Sequence, residues 1–286
     1  MALTINTNLS SMIVQSNLAK STNQLNSAIE RMTTGYKINH AADNAAGYSI
    51  ARKWETQLGS LDVAADNAAT GSDMLATLED HYALISNHVQ RVRDLTEQAA
   101  NGTYGSQSLA AIQSEITSRL EEINRISANC EFNGRYMMNG SMGTINLQVG
   151  IDGNSGRSQI ELKASLFAGA DVESLFGNDV ETVAKNCSGV SGSAKKPTEM
   201  LSKLDEVIGT ISDRVTTLGA AQNRIDSAVE SIGVQVENIT SSLSTLRDAD
   251  VAEESSNYIK AQILQQASAT LLATANQSPS IALNLL

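Results

Sequence analysis

The residues best equipped for chemistry in this 286-residue chain are three histidines, two cysteines and a scatter of serines. His81 and His88 stand seven apart, so on a helix they share a face, with Glu79 and Asp80 the nearest carboxylates. A metal centre needs more ligands than that face offers, and the pair reads as part of a solvated helix surface. No His-Glu-x-x-His occurs, and the Ser, His and Cys residues form no nucleophile motif. Cys130 and Cys187 are too few for a disulfide framework or a zinc cage. Catalysis has no support, and no cofactor or metal is expected.

Composition narrows the class further. A formal net charge of −11 argues against nucleic-acid binding, which needs a basic surface to neutralise phosphates. Met1 to Asn6 lacks a basic, continuously apolar leader, and no apolar run is long enough to span a bilayer, so membrane insertion is not expected. Hydrophobic residues make up 41% but aromatics only 3%, so burial must come from Leu, Ile, Val and Ala. The only prolines are Pro197 and Pro279, which leaves long helices unbroken almost everywhere.

The elements follow from periodicity. From Leu201 an alternating three-four step meets Leu204, Ile208, Ile211, Val215, Leu218, Gln222, Ile225, Val229, Ile232, Val236, Ile239, Leu243 and Leu246. That is a coiled-coil seam, and at about 1.5 Å per residue a rod about 70 Å long. An upstream partner carries Trp54, Leu58, Leu61, Ala65, Ala68, Ser72 and Leu75. After an irregular step, read as a stammer, it resumes at Leu78, Tyr82, Ile85, Val89 and Val92. A third helix shows Leu109, Ile112, Ile116, Ile123 and Ile126, with Arg119 in series, beyond a turn at Asn101 to Gly105. A shorter one shows Leu18, Leu25, Ile29 and Met32 and stops near Gly35.

The middle alternates apolar and polar over Thr144 to Val149 and Ser158 to Leu162, around the turn-rich Asp152 to Gly156, a β-hairpin signature. Ser188 to Lys196 reads as an exposed loop. The acidic runs Asp250, Glu253, Glu254 and Glu121, Glu122 read as solvated faces. Residues 1–35 and 251–286 are polar with apolar residues at helical spacing, such as Ile5, Leu9 and Met12, or Ile259, Ile263, Ala267 and Leu271. Such ends stay disordered until a partner supplies burial. The fold class is mainly α: a long antiparallel coiled-coil or helical-bundle rod with a small β-hairpin region and helical termini.

Ordered motifs then give a resemblance. Met1 to Asn8, Ile29 to Gly35, Ile38-Asn39 and Asp43 to Gly47 resemble the amino-terminal half of bacterial flagellins. So do Gln90 to Leu95, Asn101-Gly102-Thr103 and Phe132-Asn133-Gly134, while Asp248 to Asp250, Lys260 to Ala267 and Ala275 to Gln277 resemble the carboxyl end. The resemblance implies a structural subunit that polymerises into a hollow helical extracellular filament for swimming. Residues 1–40 and 247–286 would form a terminal core domain of coaxial helices, disordered in the monomer, with Ile5, Leu9, Ile259, Ile263, Leu264 and Leu271 in assembly contacts. Residues 41–246 would form the rod, with the hairpin and a short exposed loop at about 140–198 and no outer variable domains.

The resemblance also implies type III export, with the chain itself, an export chaperone, and cap and hook-junction proteins as partners. On one face of the second helix Gln90, Arg91, Leu95 and Gln98, with Glu115, would pack subunits and contact host Toll-like receptor 5, although Glu97 departs from the family's apolar residue. An extracellular location permits a disulfide between Cys130 and Cys187; free buried thiols are equally open. The rival readings are a hook–filament junction protein and an unrelated coiled-coil surface protein.

Overall fold

The computed structural model describes residues 7–153, 155–190 and 197–284. Those residues form eight α-helices and four short strands, and the chain divides into two compact units, residues 1–58 with 237–286 and residues 59–236. Helices α2 (Ala45–Ala100) and α7 (Pro197–Arg247) contribute one end to the first unit and the remainder to the second.

In the first unit α1 (Leu9–Thr34) lies antiparallel to α8 (Val251–Asn284). The ends of these helices are set by local chemistry. Asn8 Oδ1 accepts from Ser11 N at 3.1 Å, and Gly35 at φ +74° closes α1 with its N–H on the Arg31 carbonyl. A left-handed residue there is cheap only for glycine. Asn44 Oδ1 takes the Gly47 N–H at 2.9 Å to start α2, and Asp250 Oδ1 takes those of Ala252 and Glu253 to start α8. Asp43 accepts from Asn39 N and His40 N, which holds its carboxyl below the usual range, mainly through the His40 amide.

In the second unit α2, α3 (Ser106–Asn129) and α7 surround one apolar core. One buried series on α2 is Leu61, Ala64, Ala68, Gly71, Leu75, Leu78, Tyr82, Ile85, Val89, Val92, Thr96 and Ala99, with Met74 and Leu95 buried beside it. It alternates three and four without interruption, so the expected stammer is absent. Ala65 and Ser72, which the apolar count favoured, are only half-buried. Gly71 points inward because Leu147 fills the space beside it; a Cβ there would come within 2.4 Å of Leu147 Cδ2.

Two further registers move in the same way. On α3 the inward residue is Leu120, fully buried, rather than Arg119. On α7 Leu204, Ile211, Leu218, Ile225 and Ile232 are buried as expected, but the alternate positions are Met200, Val207 and Ala221. Ile208, Val215 and Gln222 flank the seam half-buried, and Val229 is exposed. A helix in a three-sided bundle buries a wider arc than a two-stranded seam, so the stripe spreads by a residue. Gln222 offsets its position by donating Nε2–H to Glu79 Oε2 at 3.0 Å.

Between α3 and α7 the chain folds into small pieces. Strands β1 (Glu131–Phe132) and β2 (Arg135–Tyr136) pair around Asn133 at φ +49° and Gly134 at φ +77°, the two left-handed residues of a tight hairpin. Strands β3 (Ile145–Gln148) and β4 (Gln159–Leu162) form the expected antiparallel hairpin, with a single helical turn, α4 (Ser155–Ser158), before β4. Residues 164–188 had no expected elements. They form a 3₁₀ turn (Ala164–Phe167), α5 (Val172–Phe176) and α6 (Val180–Ser188). Leu166, Phe167, Val172, Phe176, Val183 and Cys187 from this stretch are core residues. Ser188 is buried as well and is not part of an exposed loop; residues 191–196, the rest of the expected loop, lie outside the described residues.

Ile225 is fully buried and is the last residue of α7 to join this core. Ile225→Asp places an unpaired carboxylate there and should destabilise the second unit by about 3–5 kcal/mol. The exposed control Glu230→Lys should change stability by about 0.5 kcal/mol or less. Thermal or urea unfolding of the two variants checks the register; equal midpoints would place Ile225 outside the core.

Candidate assembly surfaces

The α1–α8 pair has an inner seam and an outer face, and they differ in chemistry. On α1 the inner positions are Ser11, Val14, Leu18, Ser21, Leu25 and Ala28; on α8 they are Glu254, Tyr258, Ala261, Gln265, Ser268, Leu272 and Ala275. Both series step by three and four, the pattern of a coiled-coil seam. The innermost residues are small or polar: Ser21 and Ala28 against Ala261, Ser268 and Glu254. The register is fixed by polar contacts along its length. Asn8 Nδ2 donates to the Ala275 carbonyl at 2.7 Å and Ser11 Oγ to Asn276 Oδ1 at 2.8 Å. Gln265 Nε2 donates to Thr22 Oγ1 at 3.1 Å, and Arg31 pairs with Glu254 at 3.2 Å. Glu254 is therefore not on a solvated face, because α8 turns it toward α1 and Arg31 satisfies it.

Val14, Leu18, Leu25, Tyr258 and Leu272 are half-buried in this seam, while a second set of large apolar side chains points the other way. Leu9 is 68% exposed, Ile259 55%, Ile263 60%, Leu264 43% and Leu271 56%, with Met12 and Ile13 also outward. These are the expected assembly residues, apart from Ile5, which lies outside the described residues. Burying one such side chain would contribute about 1.5–3 kcal/mol, and within the pair these side chains are left uncovered.

The second expected patch is only partly assembled. Gln90, Arg91 and Gln98 are exposed on α2, and Arg91 reaches α3, where its guanidinium meets Glu115 Oε1 at 2.9 Å. Leu95 does not join them: it is 2% exposed, inside the core. The arc buried on α2 here spans Val92, Leu95, Thr96 and Ala99 because α2 is covered on two sides. Arg91 pairs across to α3, and Arg93 to Asp205 of α7 at 2.7 Å. Leu95 supports the patch from below, and Asp94, Glu97, Asn101 and Tyr104 border it with Gln98.

The histidines and cysteines take structural places. His81 Nδ1 contacts the Thr77 carbonyl of its own helix at 2.7 Å. His88 turns toward α3 and leaves Nδ1 buried without a partner; burial and nearby Arg119 push its pKa down, so it stays neutral near pH 7. Cys130 and Cys187 are buried and free, the second of the two alternatives the sequence left open. Cys130 caps the end of α3 while Ser188, next to Cys187, donates to Gln113 Oε1, and seventeen residues of α3 separate Gln113 from Cys130 by about 25 Å, far beyond disulfide reach. Burial pushes both thiols up to about 11.

Fold and surface together define a structural helical protein whose first and last helices pair and leave an apolar face exposed. Comparison with known proteins makes this specific. Residues 5–142 match the model of the bacterial flagellin N-terminal helical region, and residues 201–286 that of the C-terminal helical region. The chain belongs to the bacterial flagellin family, and it is a structural subunit of the flagellar filament. A flagellin of Xenorhabdus nematophila is 37% identical over 312 residues, covering 100% of both chains. Flagellin FlaB2 of Treponema pallidum (strain Nichols) is 30% identical over 292 residues, covering 99% of each. Among solved structures, a putative flagellar hook-associated protein from Vibrio parahaemolyticus covers 72% of this chain and 100% of its own, with a TM-score of 0.60. At 12% identity that likeness concerns the fold alone, so the hook–filament junction reading is not favoured. No described helix is long and apolar enough to cross a membrane.

Sequence reasoning missed the residues at the crossing of the two links, α1–α2 and α7–α8. Tyr36 and Asp248 form an isolated antiparallel bridge, Lys37 N donates to the Arg247 carbonyl at 2.7 Å, and Ala249 N to that of Gly35 at 2.8 Å. A signal was present in Asp248-Ala249-Asp250, but nothing local ties it to Tyr36 more than two hundred residues away.

Two outcomes follow. Leu95→Ala should cost about 2–5 kcal/mol of stability as a core truncation, whereas Arg91→Ala should cost about 1 kcal/mol or less. Equal unfolding midpoints for these variants would return Leu95 to the surface. Both thiols should resist an aromatic disulfide reagent at pH 7.5 and react once the chain is unfolded in denaturant without reductant. Detection of fewer than two free thiols in the unfolded protein would restore the disulfide.

Proposed function

We propose that the outward faces of α1 and α8 drive polymerisation into a hollow helical filament outside the cell. The observation that carries this reading is the apolar outer face of the helix pair, where Leu9, Ile259, Ile263, Leu264 and Leu271 stay exposed although the pair has its own seam. Residues 1–40 and 247–286 form the inner core around the channel, and residues 41–246 the outer layer. The seam between α1 and α8 buries little, so these ends order fully only when neighbours cover them, and that burial offsets the entropy of ordering. Contacts between unlike faces that do not close a ring extend into an open helix. The chain acts mechanically rather than as an enzyme.

A subunit with loosely held ends suits passage through the narrow type III export channel, with an export chaperone holding it before export and cap and hook-junction proteins receiving it. Gln90, Arg91, Gln98 and Glu115 serve subunit packing, and on free monomers they are the surface offered to Toll-like receptor 5, with Glu97 adding a negative charge beside them.

Ile263→Asp tests the reading with the least disturbance to the monomer, because the side chain is already exposed. The variant should keep its helix content and unfold within about 0.5 kcal/mol of the parent. It should fail to extend filament seeds viewed by electron microscopy. Normal filaments from Ile263→Asp, or from a chain lacking residues 251–286, would overturn the assignment. Limited proteolysis of the monomer should trim both ends before residues 59–236.

A further inference from the structure

The crossing in the first unit is closed by one side chain. Arg247 occupies the last turn of α7, and its side chain is only 14% exposed. Its Nε donates to the Ile38 carbonyl at 3.3 Å, its Nη1 meets Glu55 Oε1 on α2, and its guanidinium lies 4.1 Å from the centre of the Tyr36 ring. Its own carbonyl accepts from Lys37 N, so residue 247 holds positions 36, 37, 38 and 55 at once. Glu55 is itself fixed by Arg52 at 3.1 Å, and Lys37 Nζ reaches the Thr245 carbonyl at 2.8 Å. Tyr36 supplies an aromatic face and Glu55 a carboxylate, which is the pair of surfaces a planar guanidinium matches and an ammonium does not.

The geometry points to Arg247 as the positioning residue for polymerisation: a clasp that ties the α1–α2 link to the α7–α8 link and fixes the directions in which α1 and α8 leave. This rests on the assembly reading above and adds to it which residue holds the pair ready. The α7–α8 link is only Asp248, Ala249 and Asp250, so with Arg247 engaged α8 has one exit direction. Without the clasp the pair samples many directions, and each incoming subunit must give up that freedom when it docks. A simpler role, a positive charge complementing the carboxyl end of α7, would be served equally well by lysine.

The test uses the full-length chain in seeded elongation, with Arg247→Lys and Arg247→Gln beside the parent. Both variants should elongate about tenfold more slowly, the loss expected when a charged, multiply bonded group is removed. Their helix content and the unfolding midpoint of residues 59–236 should not change. Elongation of Arg247→Lys at the parent rate would reduce the residue to its charge, and parent-like rates for both would overturn the clasp. A rescue separates positioning from general destabilisation. In the Arg247→Gln background, Tyr36→Cys with Asp248→Cys puts two thiols on bridged neighbours, near disulfide spacing. Once mass analysis confirms the cross-link, elongation should recover, and reductant should abolish the recovery. A confirmed cross-link that elongates no faster than its reduced form would also overturn the clasp. Ile263→Asp run in parallel keeps the two ideas apart. If it elongates, the assembly reading fails; if it does not while the Arg247 variants match the parent, only the clasp fails.

Discussion

The antiparallel pairing of α1 with α8 is the constraint on which the first unit depends. It brings together segments more than two hundred residues apart, and closing so long a loop costs entropy that local contacts must offset. The seam that meets this cost mixes alanine and serine, the most deeply buried, with half-buried Val14, Leu18, Leu25, Tyr258 and Leu272. Small residues let the helices approach closely but bury little apolar area. Leu9, Ile259, Ile263 and Leu271 thereby remain an apolar face that the pair itself does not bury.

The second unit has the opposite economy. Its core is continuous through α2, α3, α7 and the small elements of residues 164–188, with Tyr82, Phe167, Leu120 and Met138 fully enclosed. Tyr82 keeps its hydroxyl satisfied by donating to the Leu166 carbonyl at 3.3 Å, and Arg214 caps its ring while donating to the Gly169 carbonyl at 2.9 Å. Burial raises the Tyr82 pKa, which keeps the phenol neutral as a donor. The β3–β4 hairpin is secured where Leu147 fits over Gly71 and Asn67 Nδ2 reaches the Gln148 carbonyl at 3.2 Å.

Charge is used sparingly but at junctions. The chain has 20 basic residues against 31 acidic, and several arginines sit where two elements meet. Arg31 joins α1 to α8, Arg91 joins α2 to α3, and Arg93 joins α2 to α7. Exposed pairs such as Arg91–Glu115 contribute little to stability and serve mainly to set register. Arg31–Glu254 and Arg247–Glu55 are better shielded and occupy the region where the ends of the chain are held.

The sequence by itself determined the long helices, their approximate ends, the β3–β4 hairpin and the family, because each is encoded by residues near one another. Period-3.5 spacing, the turn at Asn101-Gly102, the cap at Gly35 and the alternation around Asp152-Gly153 are all local signals. Tertiary structure decided which of two neighbouring residues turns inward. Ala64 against Ala65, Gly71 against Ser72, and Leu120 against Arg119 depend on what packs opposite, and Gly71 is inward because Leu147 arrives from a hairpin seventy-six residues later. For the same reason Leu95 moved from the expected surface into the core, once both α3 and α7 covered α2. The helical nature of residues 164–188 was hidden because its elements are too short for a period to show and are held by the core they complete. The hold of Arg247 on Tyr36, Ile38 and Glu55 exists only when the two ends of the chain meet, which no local window of sequence contains.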